Sequence, residues 1–235
     1  SKGNQRHIRL MILHFPKMLT RSCALLVVLW ACIAANTAVI SAGDDLKGSV
    51  SLFSGTDLSG WHSRDAGIWR VEEGAITGGS LSGYVKRNSY LVTNEQYQNF
   101  DLTLKIKLTG TEGFINSGIQ VRSQDADEHE GMVGYQVDVG DGWWGKLYDE
   151  GRRDAVISLS AEMPAVQAVV KPNGWNLYRI RCENGHLQSW INGVAALDYR
   201  EPLPNIPQTG HIGIQIHSGG KALVQVKDIH LTKLQ

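Results

Sequence analysis

Three short stretches put hydrogen-bonding and titratable side chains at every second position. "SGIQVR" offers Gln120 and Arg122, "YQVDV" offers Gln136 and Asp138, and "HIGIQIH" offers Gln215 and His217. The residues between them are apolar: Ile119 and Val121, then Tyr135, Val137 and Val139, then Ile212, Ile214 and Ile216. Strand geometry sends alternate residues to opposite faces. If the three segments share a sheet, one surface carries an acid, a guanidinium, an imidazole and three amides. Polar outer faces of antiparallel sheets are usually plain solvated surface. The composition here is different from such a surface, as "FDLTLKIKL" shows with Asp101, Thr103, Lys105 and Lys107. Gln, Arg, Asp and His have fixed planar hydrogen-bonding geometry, which suits a polyhydroxylated ligand.

The second of these stretches continues into "GYQVDVGDGWWGKLYDEGRR", Gly134 to Arg153. Trp143 and Trp144 follow the strand and are expected to overhang its polar face. Sugars present apolar C–H faces and hydroxyl edges, so an aromatic platform beside amides and acids fits a carbohydrate. The alternative for one of the two indoles is a plug at the end of the fold.

The elements that must position these residues are strands. From Ser51 onward the hydrophobic period is two, with Phe100, Leu102, Leu104, Ile106 and Leu108 alternating against polar neighbours. "WNLYRIRC" and "LQSWINGVAALDY" are further strand-rich runs, the latter holding Asn192-Gly193, a strong hairpin signal. Two closing strands flank Ser218-Gly219-Gly220, and Glu95 to Gln98 can form a helical turn. No long amphipathic helix, repeat or linker interrupts the pattern. The expectation is one all-β domain, residues 43–235, a sandwich of two antiparallel sheets.

At 235 residues and 42% hydrophobic, the chain is long enough for one substantial core. All five bases before residue 43 are unaccompanied by acids, which leaves 18 bases against 23 acids in the remainder. That mildly acidic body disfavours a nucleic-acid partner. The basic start precedes "CALLVVLWACIAA" and "NTAVISAGDD", the pattern of a secretory signal peptide, residues 1–42, cleaved after Ala42. Met18 can be the initiator. The apolar run is short for a membrane span of about 20 residues, and Trp30 is bulky for a lipoprotein site at Cys32. The expected product is exported, without a stable membrane span, and retains only Cys182, which falls in an apolar strand pattern as core.

The motifs "LFSGTDLSGW", "WRVEEGAITG", "NSGIQVR", "GYQVDVGDGWWGKLYDE", "WNLYRIRCENGHLQSWINGV" and "GHIGIQIHSGG" occur in order across Ser51 to Leu234. In them the chain resembles the 3-keto-disaccharide hydrolase domain family. The resemblance implies a concanavalin A-like jelly roll and an exported bacterial enzyme acting on glycosides oxidised at C3. By motif it implies roles for Arg122, Tyr148 and His217. Relatives often carry Glu where this chain has Gln136, so Asp138 is the acid available here.

Such chemistry needs a base near C2, positive charge or donors for the enediolate, and an acid at the leaving oxygen. Asp138 or His217 can be the base, Arg122 the stabiliser, and Tyr148 or Glu150 the proton donor. Gln120, Gln136, Trp143, Trp144 and Gln215 are the expected substrate contacts. A divalent metal held by Asp138 and His217 is an alternative to Arg122. "DADEHEG", Asp125 to Gly131, reads as a solvated acidic loop or a metal loop. A two-carboxylate glycosidase pairing Asp138 with Asp141 or Glu150 is a further option. The rivals from other classes are a non-catalytic carbohydrate-binding module and a protein-interaction domain. The latter is disfavoured by the charges on the tryptophan loop.

Overall fold

The computed structural model describes residues 48–65, 67–126, 131–159 and 163–235. The expected signal peptide, Cys23, Cys32 and most of the Asp125–Gly131 loop lie outside the described residues. In chain order the strands begin with β1 (Val50–Ser51), β2 (Trp61–His62), β3 (Trp69–Glu72), β4 (Ala75–Gly79) and β5 (Ser89–Tyr97). The next five are β6 (Phe100–Gly113), β7 (Asn116–Ala126), β8 (Gly131–Gly140), β9 (Leu147–Glu150) and β10 (Ala155–Ser158). The short helix α1 (Met163–Val169) precedes β11 (Asn176–Glu183), β12 (His186–Ile191), β13 (Val194–Arg200), β14 (Gly210–Ile216) and β15 (Gly220–Lys233).

These form two antiparallel sheets. One has the order β13-β12-β11-β6-β15-β4-β3, with β1 also on β15; the other has the order β10-β9-β8-β7-β14-β5-β2. The fold is an all-β jelly-roll sandwich. Its core is the set of inward residues that the two-residue period marks, among them Leu102, Leu104, Ile106, Ile119, Val137, Ile180, Ile214 and Val224, each at most 1% exposed. Cys182 is fully buried in this core, where burial pushes its thiol up to about 12. No helix among the described residues is long and apolar enough to cross a membrane.

Local sequence decides several joints. Asn192 and Gly193 take φ of 50° and 86° and close a two-residue turn between Ile191 and Val194, as the primed hairpin turn requires. Glu95 to Gln98 do not form a helical turn: β5 runs on through Tyr97, held by the pairing of Tyr97 with Gly210 and Gln96 with His211. The two strands around Ser218–Gly220 do not pair with each other. β14 lies in the seven-stranded sheet and β15 in the other, so this segment carries the chain across the sandwich.

Candidate active site on the outer face of the seven-stranded sheet

The segments "SGIQVR", "YQVDV" and "HIGIQIH" are β7, β8 and β14, which are neighbours in one sheet. Register aligns Asp138, Gly118 and Gln215 in one row across the three strands. The next row runs Tyr148, Gln136, Gln120 and Gly213. The partners of alternation, Ile119, Val137 and Ile214, lie in the core, so these polar residues point away from it.

Arg122 breaks the pattern. Val121 pairs with Tyr135 and Gln124 with Val133, so two residues of β7 stand opposite Gly134 alone. This is a β-bulge, and Arg122 takes a φ of 51° within it. The extra residue reverses the alternation: Ser123 turns outward to Gln120, while the Arg122 guanidinium turns inward. There it donates to the Gln98 carbonyl at 2.6 Å, to Asn99 Oδ1 at 3.0 Å and to Gln208 Oε1. The expected enediolate stabiliser is therefore a buried clamp on the β5–β6 turn and the 201–209 loop, away from Asp138.

The remaining polar residues converge. A cleft of about 180 Å³ is lined by Phe114, Asn116, Gln136, Asp138, Trp143, Tyr148, Glu150 and His217. Asp138 is 1% exposed. Its Oδ1 accepts a hydrogen bond from Gln136 Nε2 at 2.9 Å, and its Oδ2 is buried with no protein partner. Burial pushes its carboxyl up to about 7, opposed by the Gln136 bond and reinforced by the charge of Glu150. Glu150 is also raised, chiefly by burial; its Oε2 accepts from Gln215 Nε2 at 3.3 Å. The same amide nitrogen donates to Tyr90 Oη at 2.9 Å. Two carboxyl groups biased toward their neutral forms thus share one cleft, which is the electrostatic preparation for proton transfer near neutral pH.

His217 Nδ1 donates to the Ser218 carbonyl at 2.8 Å, which leaves Nε2 as an acceptor in the neutral ring. Its ring meets Phe114 edge-on at 4.7 Å, and Phe114 meets Trp143 edge-on at 6.2 Å. Lys146 Nζ stands 4.7 Å from the Trp143 ring centroid, and its charge is felt at Asp138. The two tryptophans separate: Trp143 is half-buried and lines the cleft, whereas Trp144 is packed into the core. Trp144 is thus the plug, not a platform.

Gln120 and Gln215 do not line the cleft; they lie beneath it and hold Gln136 and Glu150. Asp141 is exposed in the turn and does not pair with Asp138 across the cleft. Asp149 and the two arginines at the end of the tryptophan stretch are structural. Asp149 is fully buried and binds Arg152 and Arg153, fixing the turn after Glu150. Phe114 and Asn116 are cleft residues beyond those singled out in the sequence. Both continue the alternation of Gly118 and Gln120 upstream, which is the signal that marks them.

Among the described residues no group of three His, Cys, Asp or Glu side chains stands at metal-binding distance. Asp138 and His217 have no third ligand of these types at that distance among the described residues. A larger opening, about 710 Å³, lies between Trp61, Asn94, Glu95, Tyr97 and Lys233 at another part of the sandwich. It brings together no comparable set of buried titratable groups.

Residues 48–232 match the family model described as the 3-keto-alpha-glucoside-1,2-lyase-like domain. Among solved structures, the chain is similar to a provisionally assigned glycosyl hydrolase from Parabacteroides distasonis ATCC 8503. The TM-score is 0.62 at 20% identity, over 84% of this chain and 99% of that one. It is similar to the carbohydrate-binding module CBM66 from Bacillus subtilis, with TM-score 0.57 and 13% identity over 74% and 96% of the two chains. The carbohydrate recognition domain of Emp47p gives 0.53 and 15% over 81% and 99%. These likenesses show the fold. No curated protein matches the chain.

Proposed function

Because the chain belongs to the 3-keto-alpha-glucoside-1,2-lyase-like domain family, we propose that it cleaves glycosides carrying a carbonyl at C3, with Asp138 as the base. The observation that carries this reading is the state of Asp138, which lines the cleft: it is buried, raised to about 7, and its Oδ2 has no protein partner. The C3 carbonyl acidifies the C2 proton, which Asp138 Oδ2 accepts. The C–H electron pair forms an enediolate across C2 and C3. That pair then restores the C3 carbonyl as C1=C2 forms and the C1–O bond breaks. The departing oxygen takes its proton from Tyr148 or Glu150, and water adding across C1=C2 completes net hydrolysis. With Arg122 turned inward, the Lys146 ammonium supplies positive charge near the enediolate. His217 Nε2 orients a ring hydroxyl, and Trp143 offers an apolar face to the sugar.

The test is incubation of the mature chain with the 3-keto and unoxidised forms of one disaccharide. Cleavage confined to the oxidised form is expected. Saturable binding without cleavage of either form favours the second reading, a carbohydrate-binding module, which the similarity to CBM66 supports. We also propose that the protein is exported, on the strength of the apolar run before Ala42. A reporter fused to residues 18–48 should leave the cytoplasm; its retention there refutes export.

A further inference from the structure

Asp138 is the end of a chain of buried side chains that begins on the neighbouring strand, in the bulge of β7. Ser123 Oγ donates to Gln120 Oε1 at 2.7 Å, the shortest of its three contacts. Gln120 Nε2 donates to Gln136 Oε1 at 2.9 Å, and Gln136 Nε2 donates to Asp138 Oδ1 at 2.9 Å. Ser123 and Gln120 are fully buried and Gln136 nearly so. Gln136 leans over Gly118, where any Cβ would collide with its side chain.

A lone glutamine amide can turn either end toward a carboxyl group. Its N–H favours the ionised acid; its carbonyl favours the protonated one. With Ser123 Oγ donating to Gln120 Oε1, Gln120 presents its Nε2 to Gln136 Oε1, and Gln136 in turn presents its Nε2 to Asp138. We propose that Ser123 and Gln120 are positioning residues that lock the Gln136 amide, so that Asp138 always meets an N–H on Oδ1 and keeps Oδ2 for the incoming proton. The bulge is the device that makes this possible. Without the extra residue, Ser123 would face the core and Arg122 would occupy the outer face in its place.

The assignment of Oδ2 to proton transfer rests on the proposed function, while the locked amide does not. Other groups that bear on Asp138 are Glu150, Lys146 and Tyr148 from the β8–β9 hairpin and His217 across the cleft. From the core side, Tyr178 Oη donates to the Asp138 carbonyl at 3.0 Å. None of these contacts Ser123 or Gln120 by a hydrogen bond.

The experiment is a 13C NMR titration of the Asp138 carboxyl in the full chain, alongside the pH dependence of kcat/KM. The variants are Ser123→Ala, Gln120→Met and Gln136→Met. Release of the amide should raise the Asp138 midpoint by about 0.5–1 unit in the first two variants, and at least as far in the third. A role confined to packing would lower activity at every pH with the midpoint unmoved, and that result in Ser123→Ala and Gln120→Met overturns the proposal. Ser123→Ala removes one buried oxygen and carries the test if Gln120→Met does not fold. Absence of turnover on any 3-keto glycoside would sink the proposed function, while the titration would still decide the relay.

Discussion

Gln136 Nε2 and Asp138 Oδ1 are joined at 2.9 Å on one face of β8, and this leaves Asp138 Oδ2 buried without a protein partner. An unpaired carboxylate oxygen out of water is costly. On the proposed mechanism, the arrangement gives up stability where a proton acceptor is wanted.

Replacing Asp138 with Asn keeps the shape and the Gln136 contact but removes proton exchange. Asp138→Asn should lower kcat roughly 10²–10⁴-fold with little change in binding of an unreactive glycoside. Steady-state kinetics with a parallel binding isotherm check this. Full activity in the variant removes Asp138 from the chemistry and shifts the base to His217.

The raised carboxyl also sets two opposite pH trends. As a base, Asp138 must be ionised, so kcat/KM should climb as pH rises through about 7. Stability should move the other way. The folded chain holds a proton that the unfolded chain releases near pH 4, so the Asp138 contribution to stability is full below that point. It declines as pH rises toward 7 and then levels off. Glu150 is shifted in the same direction and adds to the decline. Denaturant titrations should find Asp138→Asn equal to the parent near pH 4. At pH 8 it should be more stable by roughly 2–4 kcal/mol. A stability difference between parent and variant that does not change between pH 4 and pH 8 contradicts the buried-acid assignment, since Glu201, held low, moves the parent's own trend the other way.

The adjacent tryptophans should separate cleanly. Trp143→Ala should weaken sugar binding about tenfold or more with an unchanged thermal transition, because the ring lines the cleft. Trp144→Ala should cost roughly 3–5 kcal/mol of stability, because that ring is part of the core. Calorimetry and glycoside titration on both variants distinguish the two; a fold lost with Trp143 would make it structural as well.

Arg122→Met should behave as a stability variant. It leaves the Gln98 carbonyl, Asn99 Oδ1 and Gln208 Oε1 without their donor, at a cost of roughly 2–4 kcal/mol. Measured well below its melting temperature, the variant should keep the parent's pH midpoint and kcat within about threefold. A selective loss of kcat in a fully folded Arg122→Met would place the guanidinium in the reaction after all.

The sequence by itself determined the class of fold and most of the site's face. A two-residue period is a local property, so the alternation of Ile119 with Gln120 and of Val137 with Asp138 sorted core from surface without knowledge of the partners. Asn192-Gly193 likewise determined its own turn, since positive φ is a preference of those residues. The tertiary structure alone decided what depends on counting across strands. One extra residue opposite Gly134 moved Arg122 from the outer face to the interior and brought Ser123 out in its stead. Nothing local to "IQVRSQ" announces that, because a bulge is defined by the register of two strands. Chain reversal after Gly140 then separated Trp143 from Trp144, and sheet pairing set Glu150 within reach of Gln215 and Tyr90 from distant parts of the chain. The burial that raises Asp138 is of the same kind: a carboxyl's environment is the sum of neighbours that only the folded sheet assembles.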